Sequence, residues 1–510
     1  MPVMFLFVKG YIFNTEDHGE VLLPIYKLMS PELYSNDYFV AEYIKNSFTI
    51  RFYYDYLLYF SSFLVPLEIA CFLFTIISIG ISSFYIYSIT ELLKGKNISL
   101  FLSPILVLVI FYSFTIGGNF IQYNYFLPSS LSKAFLIAGI YYYLKQSLSK
   151  SAIITGIAAL FHPLAALQVF IIICLMQIIK KFYTRTSFKP LLKFILFFTL
   201  ISSFIYIPLY INSLSQTQYP FNLDNYYNIL YNFRLPHHFN PLLFSLKSYF
   251  KFIILLTISI YALSTIKTKF LSEITLFIII IALGMLFYTI TFSTLSIKYI
   301  GITQWFKTSI WITMFCAIIL AVKAELIYHK ISQRIRLFRM NQNAVMLLIF
   351  IIPFILISFI FNIIGNENFN KRYYINNLYK KENIHLMHYW ISKNTDVNDV
   401  FITFPSDFSF QPEAKRALIS GYKAILIHNK TFIPKWYDSY KSVFNTPMSS
   451  INSTNVLIQS DLNYHKYLII NQYSQKYKIN YILFDASKTD YKPKTKNIAF
   501  QAGQYILEKI

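Results

Sequence analysis

Long, uninterrupted apolar runs are the feature that most constrains how this 510-residue chain can fold. Runs of about 20 apolar residues recur along the first 365 positions, and this is the length that an α-helix needs to cross a bilayer. The runs do not alternate with polar residues, so they favour helices over the strands of a membrane barrel. With 56% hydrophobic and only 13% charged residues, the chain has more apolar surface than a soluble fold can bury. The sequence therefore predicts an α-helical polytopic membrane protein.

The apolar runs, taken together, predict about ten or eleven transmembrane helices. Spans are expected near 66–92, 98–116, 129–145, 190–211, 248–266, 271–292, 303–323 and 344–364. The run 151–180 is interrupted by His162 and Pro163, and proline disfavours the continuation of a helix. Because basic loops flank this run on both sides, it has to enter the membrane and return, as two short helices with His162 at the turn. Residues 1–13 are too short to cross about 30 Å of hydrocarbon, so the first helix is either incomplete or interfacial.

The distribution of basic residues predicts the orientation of the chain. Lysine and arginine are concentrated in the loops 94–96, 145–150, 180–193, 267–269 and 323–339, which the positive-inside rule assigns to the cytoplasm. The N-terminus is then inside, and the expected outer loops are 14–50, 117–128, 212–246 and 293–302. Much of the net charge of +22 lies in these cytoplasmic loops, where attraction to anionic lipid headgroups explains it. No folded basic module is visible, so nucleic acid is not expected as a partner.

The composition changes near residue 366, where apolar runs shorten to five or six residues. Short strands are predicted at 399–404, 424–429 and 480–485, and a helix over 382–394. The sequence thus predicts a transmembrane helical domain over 1–365 and an extracytoplasmic α/β domain over 366–510.

An acidic segment lies in the first predicted outer loop. It contains Glu16, Asp17 and His18 and continues to Asp37. Carboxylates at this place either cap helices in a solvated loop or act as a general base or metal ligand that faces a pocket. Both interpretations remain open from the residues alone.

Basic and polar residues in later segments supply the complementary groups. "YNFRLPHHFNP" offers an arginine suited to phosphate and two histidines, or it is a surface loop stiffened by proline. "TQWFKT" places Lys307 at the end of a span, where it either binds an anion or extends towards the interface. An ionisable group within the membrane region, such as His162, is a functional hypothesis, although it is also explained by packing inside a bundle. The candidates are Arg234, His237, His238, Gln304 and Lys307, with His162.

Several short motifs occur in a particular order along the chain: "EDH" and "LYSND", then "FHPLAAL", "RLPHHFNP" and "QWFK". The C-terminal region adds "VFITFPSDFSFQPEAKRALISGYKAILI" and "PKWYDSY". In this order the motifs resemble a group of bacterial multi-pass membrane proteins. That group is itself similar to the GT-C superfamily of polyprenol-linked glycosyltransferases. The likeness covers most of the chain.

The resemblance implies an inverting sugar transfer on the outer face of the bacterial cytoplasmic membrane. By position, Asp17 is implied as the base or metal ligand, with Glu16 as its substitute and Asp37 as a second acid that contacts the sugar or an ion. The implied ligands of the donor phosphate are Arg234, His237, His238 and Lys307, and the supporting residues are Asp37, His18, His162 and Gln304. The implied partners are a polyprenyl-phosphate sugar donor, the lipid bilayer and a glycan, lipid or protein acceptor.

The residue types fit a sugar transfer even without the resemblance to a family. Displacing phosphate from an anomeric carbon requires a base for the attacking hydroxyl and positive charge near the leaving group. The sequence has no Walker A loop and no Rossmann glycine fingerprint, so no nucleotide cofactor is predicted. No D-x-D pair follows the acidic segment, so no metal is assigned and metal dependence stays open.

Two alternatives remain from the sequence. One is a flippase or another transporter of lipid-linked saccharides, which should show repeated halves and charges within several spans. The chain shows no evident duplication and few charges inside its spans, of which Glu68 is the clearest. The other is a non-catalytic protein of envelope assembly, which would not require the acidic and basic loops to converge.

Overall fold

A computed structural model describes residues 1–46, 48–184, 187–215, 223–266, 268, 270–336, 382–423, 426, 429–447, 456–467 and 478–510. The chain divides into two compact units. The first consists of Met1–Tyr11, Phe72–Phe204 and Phe244–Tyr373, and the second of Ile12–Cys71, Ile205–Leu243 and Tyr374–Ile510. The second unit therefore combines parts of the predicted loops 14–50 and 212–246 with the C-terminal region.

Helices dominate the chain up to residue 336. In order, they are α1 (Pro2–Lys9), α2 (His18–Val21), α3 (Leu23–Met29), α4 (Tyr38–Lys45), α5 (Phe52–Ser61), α6 (Leu67–Leu92), α7 (Asn97–Ile105), α8 (Pro128–Leu144), α9 (Leu148–Phe161), α10 (Pro163–Thr184), α11 (Lys189–Ser215), α12 (Leu223–Asn228), α13 (Pro236–Phe239), α14 (Leu246–Leu263), α15 (Leu271–Thr289) and α16 (Ser309–Arg336). Within the described ranges, six helices are long and apolar enough to cross a membrane: α6, α10, α11, α14, α15 and α16. This agrees with a polytopic helical membrane protein.

Most of the predicted spans coincide with these helices. The spans 66–92, 129–145, 190–211, 248–266 and 271–292 correspond to α6, α8, α11, α14 and α15. The span at 344–364 lies outside the described residues. The span at 98–116 is shorter than expected, because α7 contains Pro104 and passes into a π-helical turn that ends at Ile110.

The span predicted over 303–323 begins later than the apolar pattern indicates. Two 3-10 turns, Lys298–Thr303 and Trp305–Thr308, precede the regular helix. Between them Gln304 has a left-handed backbone with φ of 45°. This conformation cannot continue a right-handed helix, so α16 starts at Ser309.

The predicted break at His162 is confirmed, since α9 ends at Phe161 and α10 begins at Pro163. The N–H of Ala165 donates to Nδ1 of His162 at 3.2 Å, so the imidazole caps the first turn of α10. The two helices are not equally short, however. Whereas α9 has 14 residues, α10 has 22 and is one of the six candidate spans.

Helix α16 forms the centre of the first unit. It packs against α7, α14 and α15, and its apolar stretch is largely buried. The hydroxyl of Ser309 donates to the Ile116 carbonyl at 2.9 Å, and Thr313 donates to the Phe114 carbonyl at 2.7 Å. The loop that follows α7 is thereby held beside the start of α16.

The C-terminal part of the second unit contains a five-stranded sheet. Its strands are β1 (Val400–Ile402), β2 (Ala417–Leu418), β3 (Tyr481–Asp485), β4 (Ile498–Ala502) and β5 (Tyr505–Lys509), in the order β2-β1-β3-β5-β4. The pairs β2–β1 and β1–β3 are parallel, and the pairs β3–β5 and β5–β4 are antiparallel. Strands β1 and β3 confirm the predictions at 399–404 and 480–485. The predicted strand 424–429 falls mostly outside the described residues.

Four described helices accompany the sheet: α17 (Asn383–Asn394), α18 (Phe410–Ala414), α19 (Phe432–Phe444) and α20 (Val456–Tyr467). Helix α17, which confirms the helix expected over 382–394, packs its Met387 and Ile391 against Phe401 and Leu483 of the sheet. These residues are fully buried, and the spacing of four places both helix residues on one face. The sheet and α17 together form the apolar core of the predicted α/β region.

The acidic N-terminal segment packs against this region within the second unit. The Tyr34 hydroxyl donates to the Gln411 carbonyl at 2.8 Å, and the Asn14 amide donates to the Pro412 carbonyl at 3.3 Å. The Asn36 amide donates to the Asn398 carbonyl at 2.7 Å. The segment is therefore fixed by the C-terminal part of the chain and is not a loosely solvated loop.

Candidate functional site

The backbone around Asp17 is tightly folded. Asn14 and Glu16 both have positive φ, 56° and 51°, which is uncommon outside glycine. The backbone N–H of Asn14 donates to Nδ1 of the buried His18 at 3.1 Å. Asp17 occupies the N-cap position of α2, but its side chain makes no capping hydrogen bond. Its carboxylate is therefore directed to other partners.

Asp17 forms an ion pair with a lysine of the C-terminal region. Nζ of Lys423 lies 2.5 Å from Oδ1 of Asp17, and the two side chains are 19% and 38% exposed. Burial alone would raise the pKa of the Asp17 carboxyl group, but the positive charges of Lys423, Arg234 and Arg51 outweigh it and lower that pKa. Asp17 is consequently an ionised carboxylate at neutral pH.

Arg234 is the second cation beside Asp17. It ends a π-helical turn at Ile229–Arg234 and is only 4% exposed. Its guanidinium lies 4.3 Å from the centre of the Tyr422 ring, and the Tyr422 hydroxyl donates to the Arg234 carbonyl at 3.2 Å. Within the described part of the chain, Nε of Arg234 is buried without a hydrogen-bond partner. A buried donor of this kind is available to an anionic ligand.

Arg51 completes the charge balance of this neighbourhood. Its guanidinium forms an ion pair with Glu20, and the two side chains are 15% and 10% exposed. The positive charge of Arg51 also lowers the pKa of Asp17, so Arg51 interacts with both carboxylates. We refer to Asp17, Arg51, Arg234 and Lys423 as the charged cluster.

A narrow cleft adjoins the charged cluster. It is lined by Gly19, Asp407, Tyr422 and Lys423, among others, and its water-accessible volume is about 10 Å³. A space of this size holds about one water molecule. A sugar ring therefore requires the cleft to open.

The remaining predicted residues of the second unit have different environments. Glu16 is exposed. His237 and His238 lie on α13, where His237 is exposed, His238 is half-buried and their ring centres are 4.1 Å apart. These positions allow His237 to meet a ligand from solvent, whereas His18 is buried and bonded to the backbone.

Asp37 has a set of partners that satisfies its carboxylate. Oδ1 accepts from the N–H of Val40 at 3.1 Å, which caps α4. Oδ2 accepts from the Gln411 amide at 2.6 Å and from the N–H of Leu418 at 3.1 Å. Burial raises the pKa of Asp37 to about 6, although these donors act in the opposite direction. The geometry gives Asp37 a structural role that links α4 to α18 and β2.

Lys307, Gln304 and His162 belong to the first unit. The Gln168 amide donates to the carbonyl groups of Thr303 and Gln304 at 2.7 and 3.2 Å, and the Asn119 amide donates to the Lys307 carbonyl at 3.2 Å. Among the residues that the structure describes, Oε1 of Gln304 is buried without a hydrogen-bond partner. Gln304 and Lys307 thus belong to a polar region around the start of α16, whereas His162 caps α10.

Lys133 was not predicted but adds a buried cation to that polar region. It is 1% exposed, and its Nζ donates to Oδ1 of Asn119 at 2.7 Å and to the Phe120 carbonyl. These two oxygens accept hydrogen bonds from the ammonium group, but they are neutral and do not balance its positive charge. A lysine inside an apolar run was the only sequence signal for it.

An apolar groove runs along α10 and α15 in the first unit. Leu175, Leu283, Phe287 and Trp305 are among its lining residues, and its volume is about 520 Å³. Trp305 is held by its indole N–H, which donates to the Ile281 carbonyl at 3.2 Å. The size and apolar lining suit a segment of an acyl or prenyl chain.

Lys423 and Tyr422 were also missed as site residues. Both occur in "GYK", for which the sequence left open an acceptor site or a packing and surface role in the α/β region, without assigning either residue to the charged site. Asp17 and Lys423 are separated by 406 positions, so no local pattern connects them.

Comparison with known proteins does not supply a family for this chain. No protein-family model matches it, and no curated protein is significantly similar to it.

Proposed function

We propose that the protein is a GT-C-type membrane glycosyltransferase that transfers a sugar from a polyprenyl-phosphate donor to an acceptor of the bacterial cell envelope. In this proposal the chain crosses the cytoplasmic membrane about ten or eleven times, with the N-terminus inside and residues 366–510 outside. The observation that carries the proposal is the ionised Asp17 carboxylate beside Lys423 and the buried Arg234.

The charged cluster contains both functions that the reaction requires. Asp17 accepts the proton of the acceptor hydroxyl while its oxygen attacks the anomeric carbon, and the bond from that carbon to the donor phosphate breaks with inversion. Arg234 and Lys423 stabilise the polyprenyl phosphate that leaves. Glu16 is the substitute base, and His237, His238 and Lys307 remain proposed phosphate ligands.

Donor binding must rearrange the ion pair. Lys423 contacts Asp17 in the structure, and the adjoining cleft holds about one water molecule. We expect the donor phosphate to draw the Lys423 ammonium away, which opens the cleft and leaves Asp17 available to the acceptor.

The test is sugar transfer by the full chain in proteoliposomes, with a panel of radiolabelled polyprenyl-phosphate sugars and an extract of envelope acceptors. Replacing Asp17 by Asn should lower the rate roughly 100- to 10,000-fold, which is the usual contribution of a general base. Asp438→Asn is the matched control, since Asp438 is 71% exposed on α19 of the same unit. Equal rates for wild type and Asp17→Asn would remove Asp17 as the base.

A pH profile tests the electrostatic part of the proposal. Activity requires ionised Asp17, so it should decline as the pH falls towards the lowered pKa of that group. Lys423→Met removes a charge that lowers this pKa, and the acidic limb of the profile should move to higher pH. An unchanged acidic limb in Lys423→Met would contradict the assigned base.

A further inference from the structure

Two histidines on one face of α17 have no part in the proposed reaction. His385 and His388 are three positions apart in "ENIHLMHYW", so they project on the same side of the helix. Glu413 of α18 reaches both of them. The side chains of His388 and Glu413 are almost fully buried, and that of His385 is 11% exposed.

The three side chains converge on a single point. Nδ1 of His385 lies 2.7 Å from Oε2 of Glu413, and Nδ1 of His388 lies 2.9 Å from the same oxygen. The three ligand atoms are all within 4.8 Å of one another. At these distances each nitrogen–oxygen contact requires either a proton, as in a hydrogen bond, or a shared cation between the two atoms.

Asp407 determines which nitrogen of His388 faces this point. Oδ2 of Asp407 lies 2.9 Å from Nε2 of His388, on the opposite side of the ring. When Nε2–H donates to this carboxylate, Nδ1 keeps its lone pair and presents it to Glu413. A carboxylate that orients a ligating histidine in this way is the usual outer partner at metal sites.

We propose that His385, His388 and Glu413 bind a divalent transition-metal ion of the Zn²⁺ type, with Asp407 orienting His388. Two imidazole nitrogens and one carboxylate form a donor set that suits Zn²⁺ better than Mg²⁺ or Ca²⁺, which prefer oxygen ligands. Zn–N distances of about 2.0–2.1 Å in a tetrahedron place ligand atoms about 3.3 Å apart. The side chains then separate by about half an ångström, which rotation about their χ angles permits.

The ion would join α17 to α18. Helix α18 also carries Gln411, which donates to Asp37, so the site stabilises the region to which the acidic segment attaches. This role is independent of the proposed sugar transfer, because none of the three ligands belongs to the charged cluster.

The experiment uses the full chain, purified in detergent without a histidine tag, stripped with a chelator and reloaded with Zn²⁺. Mass spectrometry of the metal content should give about one Zn²⁺ per chain. Co²⁺ in its place should give the visible absorption of a tetrahedral site with nitrogen and oxygen ligands. His385→Ala should lose the ion, whereas His237→Ala, which removes an exposed histidine of the same unit, should retain it.

His388→Gln and Glu413→Gln are more disruptive, because both side chains are buried, so His385→Ala is the decisive variant. Each protein is compared with its own chelator-treated form, and Zn²⁺ should raise the unfolding midpoint of the wild type only. A folded wild-type chain that takes up no Zn²⁺ overturns the proposal. Retention of the ion by His385→Ala overturns it as well.

Discussion

Replacing Asp37 by alanine should destabilise the second unit by an amount that depends on pH. The substitution removes the N-cap of α4, which is worth about 1 kcal/mol. It also leaves the Gln411 amide and the N–H of Leu418 without their acceptor. These residues are 6% and 7% exposed, and a buried unsatisfied donor costs about 1–3 kcal/mol. Together these losses amount to about 5 kcal/mol before the ionisation of Asp37 is considered.

Ionisation of Asp37 reduces the stabilisation of the folded protein by these interactions. Burial raises the pKa of Asp37 from 3.8 to about 6 in the folded protein. The stabilisation is therefore fully present below the unfolded pKa and is partly lost as the pH rises through the folded pKa. A difference of about two pKa units corresponds to about 3 kcal/mol. Asp37→Ala should cost about 2 kcal/mol at pH 7 and about 5 kcal/mol near pH 4.

Thermal unfolding of the full chain in detergent, followed by tryptophan fluorescence, measures this effect. Trp390 and Trp436 both lie in the second unit and report on it. At about 2–4 °C per kcal/mol, the unfolding midpoint of Asp37→Ala should fall by about 4–8 °C at pH 7 and by at least twice as much near pH 4. Asp438→Ala, a change at an exposed carboxylate, should match wild type at both values. A loss that is equal or larger at pH 7 would refute the assignment of Asp37 as a buried, partly protonated link.

Further substitutions test the packing around the charged cluster by the same thermal assay. Arg51→Met leaves the Glu20 carboxylate, which is 10% exposed, without its partner and should lower the free energy of unfolding by about 3 kcal/mol. Lys45→Met removes an ion pair whose ammonium group is 70% exposed and should change it by less than about 0.5 kcal/mol. Gly19→Ala places a Cβ atom against the backbone oxygen of Phe408 and should cost about 2 kcal/mol, whereas the Cβ of Gly80→Ala meets nothing within 4 Å, so this change inside α6 should not destabilise the protein. Equal midpoints for the two glycine variants would contradict the close packing of the acidic segment.

The helices could be predicted because their determinants are local. Apolar runs specify a membrane-length helix wherever they occur, and a proline after His162 ends one helix and starts another. Hydropathy is less informative about where a helix stops. The backbone of Gln304 is left-handed within an apolar stretch, so α16 begins later than the residue types indicate.

The sheet could be predicted only in part. β1 and β3 are buried on both faces and appear as short apolar runs, "VFI" and "YILFD". β4 has intermediate and exposed positions, and β2 has two residues, so neither gives a distinct pattern. β5 is identified by its antiparallel pairing with β3, which no local sequence pattern reveals.

The sequence predicted the acidic residue of the candidate site and one of its cations, but not the ion pair between Asp17 and Lys423. Asp17 and Arg234 were proposed from residue type and position, and both contribute to the charged cluster. Lys423 required the fold, because it lies 406 positions away and resembles many other surface lysines in sequence. Asp37 was expected as a second acid in the same segment, and the three donors that bond its carboxylate are visible only in the fold.

The surroundings of Asp37 and Asp17 differ in how fully their polar groups are hydrogen-bonded. The side-chain hydrogen bonds of Asp37 cap α4 and join it to α18 and β2, and the nearby Tyr34 has a positive φ of 57°. Around Asp17, Asn14 and Glu16 hold positive φ, and within the described part of the chain Arg234 has a buried Nε without a hydrogen-bond partner. Each of these features costs about 1–3 kcal/mol. Such a concentration fits the proposed site, in which Asp17 lies next to a guanidinium that is available to an anion.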